Sequence, residues 1–553
     1  MAERVNRPLP QLTPENEFFW TAGADGELRV QKCTACGALL HPPGPICPYC
    51  QSRSIEVTGV SGRATVVGFT VNHQQWLPDL PLPYVVAIVA LDEDPRVRLT
   101  TNVVGADPDT VTIGMRVQVR FEQIADVWLP LFEPVPAGEP DREPWTPPEE
   151  HRPRTRPMPR RDKFEEKVAL TGIGMSDIGR RLMRDPLSLT VDACLAAVAD
   201  AGLDLTDIDG LSTYPGGMAM AGGHSEGGVP ALEEALRIQP TWINGGMEIP
   251  GQSGAVVAAM LAVAAGLCRH VLCFRTVWES TSAALERAGR GGGHGGGRVG
   301  GEMQWRFPFG AMSAANWIAM NASLHFQRYG TTREALGRIA LNARANAARN
   351  PTAVYRDPLT MDDYLSARMI TTPFGLYDCD VPCDGSIAIV VSARDVARDL
   401  RQKPVFVDAV GTQITERWSW DQDTLSHEPM VLGPAAHLWT RTSLTPRDVD
   451  VAEVYDGFSF NCLSWLEALG FCGIGEGADF LGDGSRIALD GELPLNTHGG
   501  QLSAGRTHGF GFVHEAIVQL RGDGGDRQVP DAQVALVTTG GGTPGGCLLL
   551  TRG

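Results

Sequence analysis

No run of roughly 18 consecutive apolar residues occurs in the chain, so no membrane-spanning helix is expected. The opening residues, MAERVNRPLPQLTPENEFFW, lack the apolar centre of a signal peptide, and a cytoplasmic location is expected. Positive charge is in deficit: 47 Lys and Arg stand against 65 Asp and Glu, for a net charge of -18. Such a surface repels phosphate backbones and argues against a nucleic-acid partner. A single hydrophobic core stops growing near roughly 250–300 residues. The 553 residues therefore predict a small domain and a large one.

Of the 12 cysteines, four lie close together near the N-terminus and eight are scattered. Cys33, Cys36, Cys47 and Cys50 read C-x2-C-x10-C-x2-C. Two such knuckles offer four thiolates to one tetrahedral zinc, and four thiolates leave no open position for water or substrate. The expected zinc is structural. Downstream, residues 64–71, 84–91, 97–104 and 115–121 are β-branched runs separated by turn residues, which predict the short strands of a small barrel.

The segment FFWTAGADGELRVQKCTACGALLHPPGPICPYC and the strands after it resemble the zinc-ribbon/OB-fold proteins that accompany thiolase-like enzymes in acyl-CoA metabolism. The resemblance implies an N-terminal helix, zinc ribbon and OB-fold domain over 1–133. Residues 134–163 are a Pro-rich linker, since repeated proline prevents both helix and central strand. Its end carries Arg152, Arg154, Arg156, Arg160, Arg161 and Lys163, either a solvated face or a contact for coenzyme A phosphates.

From Lys167 the pattern changes. KVALTGIGM reads as a buried strand, 187–202 as a helix ending at glycine, and IDGLSTYP as another strand, which is an α/β layered pattern. KVALTGIGMSDIGRR, HFQRYGTTREALGRIALNARANAARNP, VAEVYDGFSF and NTHGGQLSAGRTHGFGFVHE together resemble the sterol-carrier-protein-type thiolases. Over 164–553 this implies a thiolase-like five-layered αβαβα fold of two related halves, usually dimeric. No repeat between the halves is visible in the sequence.

What a thiolase needs is missing. Its nucleophilic cysteine opens a helix, whose N-terminus favours the thiolate. The matching stretch, WINGGMEIPGQSGAVVAAMLAVAAG, has Pro250 or Gly251 there, with Glu248 and Ser253 as weak alternative nucleophiles. Cys268 and Cys273 fall at the far end of that helix and read as core residues. The GHP histidine of thiolases is replaced by Arg506 in Gly505-Arg506-Thr507-His508, and the C-terminal loop TTGGGTPGG lacks the second reactive cysteine.

The pattern is closer to the lipid-transfer-protein-like aldolases, nucleophile-free relatives that work with zinc-ribbon/OB proteins in steroid side-chain degradation. The resemblance implies a carbon–carbon lyase that cleaves a β-hydroxyacyl-CoA thioester by retro-aldol reaction, with an enoyl-CoA hydratase as a plausible partner. Acyl transfer by an unusual nucleophile, or acyl-CoA carriage without turnover, are the rival readings. The family's YD motif carries over as Tyr455-Asp456. Its second tyrosine, in a GYxHG-like motif, does not, because Arg506 stands there. An arginine cannot readily exchange protons, so Arg506 is a candidate to bind a substrate carboxylate or stabilise enolate charge, and His508 and His498 become the titratable candidates. Gly499, Gly500, Gly541 and Gly542 are candidates to bring backbone N–H groups to the thioester. The Gly-rich stretch 287–307, with His294, reads as a mobile loop near the site mouth.

Overall fold

The computed structural model describes residues 7–78, 80–135, 141–142, 155–156, 158, 162–216, 222–246, 250–288, 297–422, 424–428, 430–541 and 545–553. Helix α1 (Glu17–Thr21) buries Phe19 and Trp20. Strands β1 (Leu28–Cys33) and β2 (Ile55–Val60) pair antiparallel with Cys33 opposite Ile55, so the chain between them loops out and back. Five strands follow: β3 (Arg63–Asn72), β4 (Tyr84–Leu91), β5 (Arg98–Val103), β6 (Arg116–Ile124) and β7 (Val127–Pro134). They pair in the order β3-β4-β5-β7-β6, and β6 returns to β3 to close a barrel.

Strand β4 is buried along its whole length, which explains the unbroken apolar run YVVAIVAL. Successive side chains face opposite ways. Val85, Ala87 and Val89 fill the barrel, while Val86, Ile88 and Ala90 pack with Ala311, Met320 and Leu324 of the large domain. The barrel is therefore apolar on an outer face as well as inside.

The large domain holds a nine-stranded sheet. Its members are β8 (Val168–Met175), β9 (Gly210–Thr213), β10 (Trp242–Gly245), β11 (His270–Trp278), β13 (Asp384–Ala393), β14 (Val405–Gly411), β15 (Val451–Glu453), β16 (Val534–Thr539) and β17 (Gly546–Arg552). Strand β12 (Met369–Thr371) belongs to the barrel sheet instead, where Thr371 pairs with Asn72. The nine strands run β10-β9-β11-β13-β8-β14-β17-β16-β15. Reading out from the central β8–β14 contact, the two halves repeat each other: first strand, fifth, fourth, second. The third strand of the second half survives as a parallel bridge from Ala452 to Leu495. The repeat invisible in sequence is thus plain in strand order.

Helices complete the layers. Helix α2 (Pro186–Ala201) is capped by the Asp185 side chain and ends at Gly202 in the left-handed conformation, as its sequence predicts. It covers one face of the first half. Helix α3 (Gly254–Ala264) has eight of 11 residues buried, and α7 (Phe510–Arg521) has 11 of 12. A helix apolar all round belongs inside, as α3 does; α7 is buried with its polar Glu515, Gln519 and Arg521 paired to Arg527, Thr497 and Asp200. These two form the middle layer, α7 packing on strands of both halves. A helix at Leu432–Trp439 packs on β14 and β17 and covers the second half's outer face, with α6 (Ser459–Ala468) beside it; α4 (Glu279–Arg287) and α5 (Ala314–Tyr329) precede them in the chain.

The barrel docks on α5. A Cβ at Gly68 would lie 2.8 Å from the carbonyl oxygen of Met320, so only glycine permits this approach. Thr100 donates to Asp421 at 3.0 Å, and Asn316 donates to Asn72 at 3.0 Å. Of the Gly-rich stretch, residues 289–296 lie outside the described residues, and the part from 297 on packs against the small domain. Leu9–Pro10 pairs with Arg298–Val299, and Trp305 stacks on Trp20 at 5.0 Å. Aromatic burial turns these residues into a strap holding the small domain. His294 lies outside the described residues, as do Arg152, Arg154, Arg160 and Arg161. Of the linker's basic end, the Arg156 N–H donates to Gln413 at 3.0 Å, and the Lys163 ammonium donates to the Asp408 carbonyl at 2.5 Å.

Candidate active site

The nucleophile position lies between β10 and α3. Gly251 has φ +57°, and a Cβ there would meet Thr539 Oγ1 at 2.5 Å and the Thr539 carbonyl oxygen at 2.8 Å. Ser253 Oγ shares a hydrogen bond with Thr539 Oγ1 at 2.9 Å, with no basic partner among the described residues. Glu248 lies outside them. A side chain at Gly251, cysteine included, has no room beside Thr539. Cys268 and Cys273 are core residues, and burial raises the Cys268 thiol to about 11. Gly251→Cys is expected to form no acyl-enzyme with an acyl-CoA, by intact-protein mass spectrometry. It should also lower stability by roughly 1–3 kcal/mol through backbone strain and overpacking.

Tyr455 and Asp456 follow β15. The Tyr455 N–H donates to Thr538 Oγ1 at 2.9 Å, tying this turn to the end of β16. Its ring slots between two glycines: a Cβ at Gly541 would sit 2.5 Å from it and one at Gly457 2.7 Å. Asp456 is fully buried. Its Oδ1 accepts the Gln501 N–H at 2.7 Å, and its Oδ2 has no hydrogen-bond partner among the described residues. Burial raises its carboxyl to about 7. Gly500, at φ +57°, passes so close that a Cβ would lie 1.9 Å from Asp456 Oδ2; one at Gly499 would meet Ala347 at 2.6 Å. Gly542 lies outside the described residues.

The turn from Asn496 to Gly509 runs through a five-residue π-helix, Gly500–Ala504, a form frequent at functional sites. His498 precedes it, with Nδ1 3.0 Å from Glu453 Oε2. Burial lowers the His498 pKa, but the hydrogen bond and charge of Glu453 outweigh burial and raise it. Glu453 belongs to a buried network with Thr497, Glu515 and Arg527. A cavity of about 30 Å³, room for a water, touches His498, Gly505 and Thr507. Phe512 lies beside both His498 and Tyr455, with ring centroids at 5.3 and 6.1 Å.

Arg506 and His508 meet at a residue the sequence reading missed. Glu279, the first residue of α4, accepts from Arg506 Nη2 at Oε2, and its Oε1 lies 2.9 Å from His508 Nε2. Arg506 Nη1 donates to Asp380 at 3.0 Å, and the Asp380 N–H donates to the Gly457 carbonyl at 3.0 Å beside Tyr455. Burial lowers Arg506 to about 10, so it remains a cation at neutral pH. His224 and Arg275 complete the group. Arg275 lies over Tyr214, whose hydroxyl donates to the His508 carbonyl at 2.6 Å. Burial, then Arg275 and Arg506, push His508 well below the usual histidine range, and the same causes hold His224 at about 3. Glu279 pairs with Arg506 across 227 residues of chain. No local motif marks such a partner.

The zinc fit is direct. Cys33 Sγ lies 3.6 Å from Cys50 Sγ, and Cys36 Sγ lies 3.6 Å from Cys47 Sγ. All four sulfurs lie within 4.8 Å of one another. A tetrahedron with Zn–S near 2.3 Å has sulfurs about 3.8 Å apart. These cysteines hold a structural zinc, closing the ribbon.

Comparison with known proteins agrees. Residues 20–56 match the ChsH2 rubredoxin-like zinc ribbon domain, 58–122 the ChsH2 C-terminal OB-fold domain, and 430–546 the thiolase C-terminal domain-like family. A steroid side-chain-cleaving aldolase of Thermomonospora curvata is 35% identical over 69% of this chain and 97% of its own. A 17-hydroxy-3-oxo-4-pregnene-20-carboxyl-CoA lyase of Mycobacterium tuberculosis is 34% identical over 69% of this chain and 99% of its own. The solved Ltp2-ChsH2(DUF35) aldolase superposes with a TM-score of 0.61 at 32% identity, covering 70% of this chain and 98% of that one. The fold and site define a thiolase-like protein without the thiolase nucleophile. The chain belongs to the steroid side-chain-cleaving aldolase family, with ChsH2-type zinc-ribbon and OB-fold domains in the same polypeptide.

Proposed function

We propose that the protein is a carbon–carbon lyase that cleaves a β-hydroxyacyl-CoA thioester of steroid side-chain type by a retro-aldol reaction, giving a ketone or aldehyde and a shorter acyl-CoA. The observation that carries this is the closure of the nucleophile position by Thr539 beside a retained Tyr455-Asp456 turn. A retro-aldol needs a base at the β-hydroxyl, stabilisation of the enolate and a proton for the α-carbon, and no covalent intermediate. His508 serves as base and Tyr455 as the acid facing the α-carbon. Asp456 and His498 hold the surrounding turn through Gln501 and Glu453. The glycines at 499, 500 and 541 let backbone approach the thioester.

The test is turnover of β-hydroxyacyl-CoA thioesters in D2O. The expected products are a carbonyl compound and an acyl-CoA carrying one solvent deuterium at the α-carbon. An acyl-CoA without solvent deuterium contradicts the enolate route. Addition of water to an enoyl-CoA generates such substrates, which supports a hydratase as the preceding partner. A cytoplasmic setting accords with the eight cysteines outside the zinc ribbon, none of which forms a disulfide.

The active form is a homodimer. Strand β10 is an end strand of the nine, and Ile243 on it is 58% exposed. A second copy pairing there would cover the edge, since unpaired apolar edges invite strand addition. Light scattering is expected to give about twice 59.4 kDa, and Ile243→Glu to shift the particle towards monomer.

A further inference from the structure

Arg506 stands where the aldolase resemblance places a second tyrosine, and the structure shows what it does instead. Both its terminal nitrogens are engaged, one with Glu279 and one with Asp380. Neither is offered to a substrate proton. What Arg506 accomplishes is to keep Glu279 ionised and fixed, because a guanidinium on one carboxylate oxygen favours the charged form. The other oxygen, Oε1, lies 2.9 Å from His508 Nε2.

That contact decides the tautomer. An ionised carboxylate only accepts hydrogen bonds, so Nε2 must carry the hydrogen. A neutral imidazole then has its lone pair on Nδ1. His508 Nδ1 is buried and has no hydrogen-bond partner among the described residues. Leaving a buried acceptor unpaired costs about 1–3 kcal/mol, and the atom so left is the one proton-accepting nitrogen of the neutral ring. Backbone geometry holds the ring there: His508 has φ +49°, its N–H donates to Gln501 at 3.2 Å, and its carbonyl accepts from Tyr214.

We infer that Glu279 is a positioning residue, clamped by Arg506, that fixes His508 as the Nε2–H tautomer and presents Nδ1 as the base for the substrate β-hydroxyl. This rests on the retro-aldol reading above. Nδ1 takes the hydroxyl proton, and the O–H electron pair becomes the second bond of the new carbonyl. The Cα–Cβ pair passes into the thioester as an enolate, which takes one proton at Cα. The proton on His508 is released in turn, so no co-reactant is consumed. The function lost with the second tyrosine is thereby carried two residues further on.

His224 Nδ1, 3.5 Å from Glu279 Oε1, raises a second use of these atoms, as three ligands of a divalent cation. Charge argues against it. Glu279 already neutralises Arg506, and Arg275 adds a second guanidinium, donating to the His224 carbonyl at 2.5 Å. A divalent cation would face both.

The test uses the full chain labelled with 15N-histidine, the His508 signals being assigned by their loss in His508→Asn. Wild type is expected to show the Nε2–H tautomer of His508. Glu279→Gln, whose amide can donate, is expected to shift it towards Nδ1–H and to lower kcat about 100- to 1,000-fold with KM little changed. Glu279→Asp should recover at least part of kcat. The kcat–pH profile of wild type should show no limb from His508 at the usual histidine range, since burial, Arg275, Arg506 and His224 favour the neutral ring against Glu279; a limb near 7 belongs to Asp456. An unchanged tautomer in Glu279→Gln, or unchanged kcat, overturns the assignment. So does equimolar zinc shifting the His224 and His508 signals together, which would establish a metal site. Wild type inert towards every β-hydroxyacyl-CoA would defeat the retro-aldol reading, and the tautomer measurement would still decide the role of Glu279.

Discussion

Tyr455→Phe is expected to lower kcat for β-hydroxyacyl-CoA cleavage by about 100- to 10,000-fold, the range typical of losing one positioned acid or base. The fold should survive the change. Ring and hydroxyl both lie in the slot between Gly457 and Gly541, and phenylalanine keeps the ring that fills most of it. The backbone N–H that anchors the turn to Thr538 is also retained. Thermal unfolding should therefore change little while turnover collapses. KM should move far less than kcat, because the hydroxyl contributes to the transition state more than to the bound substrate. Rates measured with and without the hydroxyl on one acyl-CoA, beside a melting curve, separate the two effects.

Removing the zinc is expected to have the second largest effect. Structural zinc contributes about 10–16 kcal/mol of apparent binding free energy, which small ribbons need in order to fold. Cys47 is fully buried and its knuckle has little apolar core beyond Leu40 and Cys33. Cys47→Ser should abolish bound zinc, measured by elemental analysis, and expose the ribbon to proteolysis between β1 and β2. The damage should spread. His41 packs against Trp305 at 4.8 Å and Phe19 at 5.0 Å, so a collapsed ribbon loosens the strap that ties the small domain to the large one. Cleavage activity should fall with docking.

Some of this is written locally in the chain and some is not. The four cysteines announce themselves by spacing, and α2 by its cap, apolar stripe and closing glycine. Tyr455 and Asp456 stand in a short motif, so resemblance finds them. Glu279 escapes because its meaning lies in partners far along the sequence; locally it is an ordinary acidic residue in a first helical turn. The strap formed by Arg298–Val299 and Trp305 is hidden for the same reason. Its glycine-rich approach suggests mobility, while its order comes from Trp20 and Phe19 on a distant element. The outer face of β4 explains a third difficulty. An unbroken apolar run predicts a strand but not what covers its outer side, which here is α5.

The central claim is cleavage without a covalent enzyme intermediate, and one experiment addresses it directly. Protein mixed with a steroid-type β-hydroxyacyl-CoA would be sampled during turnover, with intact-protein mass and small-molecule products measured together. The account predicts an unmodified protein mass at every time point, with carbonyl product and shortened acyl-CoA formed in equal amounts. A transient acyl adduct on the protein would contradict it and return the chain to acyl-transfer chemistry.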